Sequence, residues 1–383
     1  MNTRLMIAGI ALAPMLVACT DNSTSGGDDP RLVSVSSTND ACEVSSTKVP
    51  AGVVTFDVTN AGSKVTEFYL LGSDGLRIVG EVENIGPNLS RELVVNVPEG
   101  SYTTACKPGM KGDGIRADFT VTASKDNAAV TADDQELIDA AVKNYAAYVN
   151  DQSDQLLVKT EKFVDLYKQG KDDEARALYP VARTHWERIE TVAESFGDLD
   201  PMMDAREADL EEGQDWTGWH RIEKDLWPPA KGYTALTAKQ RATFADDLLK
   251  NTRTLDGRVQ KLTYSIDDIA NGSRGLLEEV AKGKVTGEEE IWSHTDLWDF
   301  QANVDGARVG FEGVQPLLET KDPELAKALT ARFDALQKLL DEHRDGDGFV
   351  TYDKLSVKQV QALSNAVNAL SEPLSKLTAA VLS

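Results

Sequence analysis

The periodicity of the apolar residues changes once along this chain, near residue 123, and the change divides the sequence into two fold classes. Before it, β-branched residues alternate with polar ones in short runs that Gly, Pro and Asn interrupt. Such alternation is typical of strands with one buried face. After it, apolar residues recur at helical spacing over long runs. The sequence therefore predicts a multidomain protein, with an N-terminal antiparallel β-sandwich followed by an all-α helical bundle.

The predicted sandwich covers residues 31–123. Turn signals such as Pro98-Glu99-Gly100 separate its strands. Seven short strands at this spacing favour a sandwich of about 90 residues. The predicted strands are Leu32–Thr38, Val53–Asn60, Thr66–Leu71, Arg77–Ile85, Glu92–Val97, Ser101–Lys107 and Arg116–Thr122.

The predicted helical domain covers residues 124–383. A capping stretch at Thr131–Asp134 precedes a long amphipathic run that reaches about Gln169. Because the connections between the later helical runs are short, a bundle is expected. Those runs are Asp172–Phe196, Trp216–Trp227, Thr237–Ala281, Thr295–Glu319, Pro323–His343 and Ser356–Val381.

The N-terminus has the pattern of a bacterial lipoprotein signal. Arg4 precedes an apolar run that ends in the sequence LVAC at Cys19. We expect a signal peptide at 1–18, diacylglycerol on Cys19 and a flexible tether at 19–30. The alternative is an ordinary secretory signal in which the cysteine has no role. Either pattern predicts an extracytoplasmic chain, and the first predicts a lipid anchor in the membrane.

The charge balance excludes one class of partner. The chain has 63 acidic and 40 basic residues, a formal net charge of −23. Because binding to phosphate requires a basic face, no nucleic-acid partner is expected. The chain has three cysteines and four histidines. So few cysteines exclude a disulfide scaffold, and so few histidines restrict the metal sites that can form.

Two pairs of side chains in the helical domain are candidate metal ligands. Glu187 and Glu190 are three residues apart, as are His220 and Glu223, and residues at this spacing share a helix face. Asp204, between the two helices, can add a further oxygen. Such oxygen and nitrogen ligands suit iron, zinc or manganese. The alternative is that His220 and Glu223 form a surface hydrogen bond, although the tryptophans around His220 favour burial.

Most enzyme motifs are absent from the sequence. There is no His-Glu-x-x-His motif, and Lys224 stands where the inverted zinc motif requires histidine. Glycine-rich phosphate loops and nucleophile elbows are also absent. Ser293 is predicted to cap the helix that follows it. Asp296 either takes part in this capping or faces the same cavity as His220.

Cys42 and Cys106 are candidates for a disulfide in the sandwich domain. Outside the cytoplasm a disulfide is the expected state of such a pair. The alternative is a metal site that uses these cysteines with Glu67. A blue-copper centre requires two imidazoles, and no histidine precedes His185, so that kind of centre is excluded.

Several long sequence blocks resemble one family. The lipobox, the histidine-free N-terminal domain with two cysteines, and the blocks HWERIE, ESFGDLDP, GWHRIEKDLW and SHTDLWDFQANV together resemble the EfeO-type components of EfeUOB iron uptake systems. The likeness extends from Asp40 to the C-terminus. It implies a cupredoxin-like sandwich followed by an imelysin-like (M75) domain.

The resemblance implies an iron-binding protein that delivers iron beside a membrane permease and a haem peroxidase-like partner. It implies a metal site at His220, Glu223, Glu187, Glu190 and Asp204. It also implies a second site in the N-terminal domain for copper or a second iron, at Cys42, Cys106 and Glu67.

Three functions remain open from the sequence. The first is an iron carrier, and hard carboxylate oxygens favour ferric over ferrous iron. The second is a metalloenzyme, either a ferroxidase or an M75-type peptidase, and Lys224 counts against the peptidase. The third is a binder of an acidic polysaccharide, which requires a long open groove.

Overall fold

The computed structural model describes residues 29–75, 78–110, 112–124, 131–210 and 213–383. The predicted signal peptide, Cys19 and the predicted tether as far as residue 28 lie outside these ranges. Within them, the helices are too short or too polar to cross a bilayer.

Between residues 32 and 122 the described chain forms nine strands in two sheets. The strands are β1 (Leu32–Ser37), β2 (Cys42–Val44), β3 (Lys48–Pro50), β4 (Gly52–Asn60), β5 (Thr66–Leu71), β6 (Ile78–Ile85), β7 (Ser90–Val97), β8 (Gly100–Cys106) and β9 (Ile115–Thr122). One sheet has the order β2-β1-β4-β7 and the other β3-β9-β8-β5-β6. The β1–β4 and β3–β9 pairs are parallel, and the other neighbours are antiparallel. The predicted sandwich class is confirmed.

The two sheets enclose one apolar core. At its centre the ring of Phe56 lies 5.1 Å from that of Phe68 and 5.3 Å from that of Phe119, measured between centroids. All three rings are buried. The sequence analysis did not predict β2 and β3, because a strand of three residues is too short to show alternation.

Cys42 in β2 and Cys106 in β8 form a disulfide that joins the two sheets, with 5.6 Å between the Cα atoms. Of the two states that the sequence allows for these cysteines, a disulfide or a metal site, the structure has the disulfide. Bonded sulfurs are not thiolates, so the structure does not contain the alternative metal site built on these cysteines. Glu67 precedes Phe68, the residue of β5 that pairs with Cys106, and so lies on the other face of the sheet. It is buried there, and its Oε2 accepts a 2.8 Å hydrogen bond from the Tyr69 hydroxyl.

From residue 132 onward the described chain is mainly helical, as predicted, apart from a short antiparallel hairpin formed by Arg344–Asp345 and Gly348–Phe349. The helices are α1 (Ala132–Lys168), α2 (Asp172–Glu187), α3 (Glu190–Glu194), α4 (Asp200–Met203), α5 (Trp219–Leu226), α6 (Ala238–Val259), α7 (Ile266–Lys282), α8 (Asp296–Lys321), α9 (Pro323–Asp341), α10 (Val357–Leu374) and α11 (Leu377–Leu382). The Thr131 hydroxyl caps α1 by accepting from Asp134 N. Helix α8 packs against α1, α2, α7 and α9, so its inward face lies in the middle of the bundle.

The predicted helix Asp172–Phe196 is broken. Helix α2 ends at Glu187, Ile189 has the non-helical angles φ −125° and ψ 17°, and α3 begins at Glu190. The Asn303 amide donates a 2.7 Å hydrogen bond to the Glu187 carbonyl, which the next helical turn would otherwise satisfy. The expectation that Glu187 and Glu190 share one helix is therefore wrong.

Two further helix boundaries differ from the prediction. The run Thr237–Ala281 forms two helices, because a capping box between Ser265 and Asp268 starts α7. The run Trp216–Trp227 becomes helical only at Trp219, because Gly218 takes a positive φ of 85°.

Helix α7 also contacts the sandwich. The Asp267 carboxylate accepts a 2.7 Å hydrogen bond from Asn96 N, and the Arg274 guanidinium donates one of 2.9 Å to the Glu81 carbonyl. These bonds join α7 to strands β6 and β7.

We expect reduction of the disulfide to destabilise the sandwich domain by about 2–4 kcal/mol, because the unfolded state regains the freedom of a long closed loop. Hydrogen exchange of β4 and β9 peptides, with and without reductant, measures this change. All six tryptophans follow residue 123, so their fluorescence reports on the helical domain. The urea concentration at which that fluorescence changes is an internal control and should be the same with and without reductant. Equal exchange in both states would contradict the prediction.

Candidate metal centre

A cluster of buried acids lies among α2, α3, α5, the start of α8 and the loop before α8. We call it the acidic centre, and its eight carboxylates are each 8% exposed or less. They are Glu187, Glu190, Asp204, Glu223, Glu289, Glu290, Asp296 and Asp299. Three buried basic side chains contact them: Arg183, His220 and Lys284. Negative charge in a protein interior is costly unless it is paired. The main chemical feature of the acidic centre is therefore that its carboxylates outnumber the buried cations that contact them.

His220 is placed by the tight turn that begins α5. A Cβ added to Gly218 would lie 2.1 Å from the Met203 carbonyl oxygen, so only glycine allows this approach. The turn brings Asp204 beside the imidazole. His220 Nε2 lies 3.3 Å from Asp204 Oδ1 and 3.4 Å from Glu289 Oε1. One nitrogen and two carboxylate oxygens therefore converge on one side of the ring.

The other side of the imidazole faces Glu223. His220 Nδ1 lies 3.2 Å from Glu223 Oε2, within hydrogen-bond distance, and 3.9 Å from Glu290 Oε1. Glu223 Oε1 accepts backbone hydrogen bonds of 2.9 and 2.7 Å from Trp292 and Ser293. Glu223 thus joins α5 to the loop that carries Glu289 and Glu290.

Two groups of ligand atoms lie close enough to hold a metal ion, and they share His220. One consists of Asp204, His220 and Glu289, and the other of His220, Glu223 and Glu290; within each group the ligand atoms lie within 4.8 Å of one another. We call them the Nε2 triad and the Nδ1 triad, after the ring nitrogen that faces each. Among the described residues, His220 Nε2 has no hydrogen-bond partner.

Arg183 is the principal counter-ion of the acidic centre. Its guanidinium is fully buried. It forms ion pairs with Glu187, Asp204, Glu289, Glu290 and Asp299, the last at 3.5 Å. Neither oxygen of Asp299 accepts a hydrogen bond from a described residue. One cation is therefore shared by five carboxylates.

Lys284 pairs with Glu187 and Glu190, two of the ligands that the sequence predicts. Its Nζ lies 3.0 Å from Glu187 Oε2, and 3.1 and 2.8 Å from the two oxygens of Glu190. The structure therefore brings Glu187 and Glu190 together through a lysine. Neither belongs to the Nε2 or the Nδ1 triad.

The acids divide into two groups by protonation. Burial raises the pKa of Glu187 to about 8 and that of Asp299 to about 7, despite the nearby cations. Burial also raises the pKa values of Glu190 and Glu290 well above the usual range. Uncharged acids among these relieve part of the negative surplus at neutral pH.

The Nε2 triad shows the opposite behaviour. Burial opposes ionisation of Asp204, but Arg183 and His220 lower its pKa below the usual value. Lys284 and His220 outweigh burial at Glu289 and hold its pKa well below the usual range. Burial and Arg183 disfavour a charged His220, yet Asp204, Glu223 and Glu289 raise its pKa to about 10. Both carboxylates of the triad are thus anionic at neutral pH.

The sequence analysis did not identify Arg183, Lys284, Glu289, Glu290 or Asp299 as part of this region. The available signal was the acidic run at 288–290, which two residues separate from the block that begins at Ser293. The predicted capping by Ser293 is wrong, because its hydroxyl donates to Glu290 Oε2 and α8 begins without a side-chain cap. Asp296 shapes the loop by accepting a 3.0 Å hydrogen bond from Glu290 N.

Comparison with known proteins agrees with this architecture. The imelysin family (peptidase M75) matches residues 141–377, and the cupredoxin-like domain family matches residues 9–121. The chain is 36% identical over 355 residues to the iron uptake system component EfeO of Escherichia coli O157:H7, with 91% of each chain covered. This chain belongs to the EfeO family. The same figures hold for the EfeO proteins of E. coli (strain K12) and Shigella flexneri.

We expect Arg183→Met to lower the free energy of unfolding of this EfeO-family chain by about 3–5 kcal/mol, because it leaves buried carboxylates without their shared cation. Urea unfolding followed by tryptophan fluorescence measures the loss. Arg253→Met is the matched control: Arg253 pairs with Glu161 at the surface, and its loss should cost less than about 1 kcal/mol. Similar stabilities for the two variants would contradict the role of Arg183.

Proposed function

We propose that this protein binds iron at the acidic centre outside the cytoplasm and delivers it to a membrane permease. The observation that carries the proposal is the Nε2 triad, in which an imidazole nitrogen without a hydrogen-bond partner among the described residues faces two ionised carboxylates. Because the pKa of His220 is about 10, bound iron would displace the proton that Nε2 carries at neutral pH. The curated relatives are described as iron uptake system components, and this supports iron as the cargo.

The spacing of the triad fits a bound first-row metal. Imidazole nitrogen and carboxylate oxygen lie about 2.0–2.2 Å from zinc, a metal of similar size to iron. Two ligands at this range are about 3.0–3.4 Å apart for angles between octahedral and tetrahedral. The Nε2 contacts of 3.3 and 3.4 Å match this separation. Asp204, His220 and Glu289 would hold the ion.

Glu223 fits the role of a positioning residue. A metal-binding histidine usually donates its second ring N–H to a carboxylate or carbonyl, which fixes the tautomer and the ring orientation. His220 Nδ1 faces Glu223 Oε2 in this manner, and backbone amides hold the other Glu223 oxygen. The proposed ligand set thus differs from the one implied by the family resemblance, in which Glu223 is itself a ligand.

The chemistry of the triad favours a carrier of ferric iron. Hard anionic oxygens gain more from a small, highly charged cation than from a larger one of lower charge. His220 is 1% exposed and Glu223 is fully buried. A peptide bond could not reach so enclosed a centre without a large rearrangement, so the burial favours ion capture over peptidase activity.

The proposal includes the expected cellular setting. Lipid attachment at Cys19 would hold the protein at the membrane, near a permease and a haem peroxidase-like partner. The disulfide between the sandwich sheets supports an oxidising, extracytoplasmic compartment.

We expect His220→Ala to abolish iron binding and Asp204→Asn and Glu289→Gln to weaken it strongly, because each removes a proposed ligand. Glu223→Gln should weaken binding by about 10–100-fold, the effect typical of an outer partner of a ligating histidine. Calorimetric titration of the chain from residue 20 onward with ferric citrate, and with ferrous iron under nitrogen, measures these affinities.

The matched control is Glu190→Gln, which changes an equally buried glutamate outside both triads and should leave the affinity unchanged. If wild-type protein bound neither form of iron, the proposed function would be wrong. If Glu223→Gln abolished binding while Asp204→Asn and Glu289→Gln did not weaken it, the ion would lie on the Nδ1 side instead.

A further inference from the structure

The Lys284 ammonium occupies a position built from oxygen ligands. It is 1% exposed, and three oxygens of Glu187 and Glu190 lie 2.8–3.1 Å from Nζ. A lysine side chain has a large conformational entropy and a strongly hydrated charge, so it is rarely buried unless its charge is needed there. Here it places a single positive charge between two carboxylates.

Hydrogen bonds from α8 hold the residues around this position. Asn303 on α8 donates hydrogen bonds of 2.7 Å to the Glu187 carbonyl and 3.0 Å to Glu190 Oε2. Glu187 also pairs with Arg183, whose guanidinium reaches Asp204 and Glu289 of the Nε2 triad. The Lys284 position and the Nε2 triad therefore adjoin, and Arg183 contacts carboxylates of both.

Two adjacent carboxylate positions in a helix bundle are the arrangement that holds a pair of metal ions in di-iron proteins. Their ligands are a glutamate on each of two helices and a Glu-x-x-His pair on each of two others. The acidic centre contains these residue types: Glu187 and Glu190 at the junction of α2 and α3, and His220 and Glu223 on α5. One of its two cation positions, however, already contains the Lys284 ammonium.

We propose that Lys284 acts as a tethered cation that fills the second metal position and keeps the centre mononuclear. This inference rests on the proposed iron site at His220. It assigns Lys284 a role in determining how many ions bind, and it assigns Glu187 and Glu190 to the ammonium instead of to iron. A centre restricted to one ion lacks the neighbouring metal that a di-iron enzyme uses, and this suits a carrier.

The test is the metal stoichiometry of Lys284→Met, which removes the ammonium group and keeps an unbranched side chain one atom shorter. Wild-type protein and variant are loaded with ferrous iron under nitrogen, and separately with Mn²⁺; free metal is removed, and metal per chain is measured by elemental analysis. We expect one ion per chain in wild-type protein and two in Lys284→Met. Adding Glu190→Gln to Lys284→Met should return the number to one.

Two lysine variants serve as controls. Lys284→Arg keeps the positive charge and should remain at one ion. Lys168→Met removes a surface lysine that pairs with Asp246, and it should also remain at one. If Lys284→Met is unfolded without metal, recovery of its helical circular dichroism on addition of Mn²⁺ supports the proposal, and failure to recover contradicts it.

Different results would contradict the proposed function and the role of Lys284. No bound metal in wild-type protein would contradict the proposed function itself. One ion in wild-type protein and one in folded Lys284→Met would leave the iron site intact and overturn the role of Lys284. Two ions in wild-type protein would also overturn it, because the ammonium would not then exclude a metal.

Discussion

The interior of the helical domain depends on how buried negative charge is compensated. The eight carboxylates of the acidic centre lie out of water, and Arg183, His220 and Lys284 supply the buried positive charge that contacts them. Such a cluster is stable only if acids take up protons, share the available cations or receive another cation. The acidic centre shows the first two responses, and we propose the third. Glu187 and Asp299 have raised pKa values and take up protons more readily. Five carboxylates share Arg183. The proposed iron at the Nε2 triad would be the additional cation.

The short elements of the helical domain bring these charges together. Long helices such as α1 and α8 form the frame, whereas the proposed ligands Asp204, His220 and Glu289 lie at helix ends and in a loop. The positive φ of Gly218 lets the chain around Asp204 approach α5. The Asn303 side chain satisfies the carbonyl at the break after α2, and that break separates Glu187 from Glu190. Local breaks in regular structure thus position the candidate site.

Residue patterns alone predicted the two fold classes, and the reason is physical. Strand alternation and helical periodicity are repeated over many residues, so single exceptions do not hide them. Short elements have no such repetition, which is why β2, β3 and the break at Ile189 were missed. The pair His220 and Glu223 was found because its spacing lies within one helix. Glu289, Glu290 and Arg183 meet it only through tertiary packing, and no spacing rule connects them with α5. Lys284 was missed for the same reason: a lone lysine in sequence gives no sign that it is buried.

The most direct test of the central claim is a crystal structure of the iron-loaded protein with anomalous diffraction measured at the iron edge. We expect one anomalous peak per chain in the helical domain, bonded to His220 Nε2, Asp204 and Glu289, with Glu223 hydrogen-bonded to Nδ1. A peak between Glu187 and Glu190, or one bonded to Nδ1 and Glu223, would contradict it.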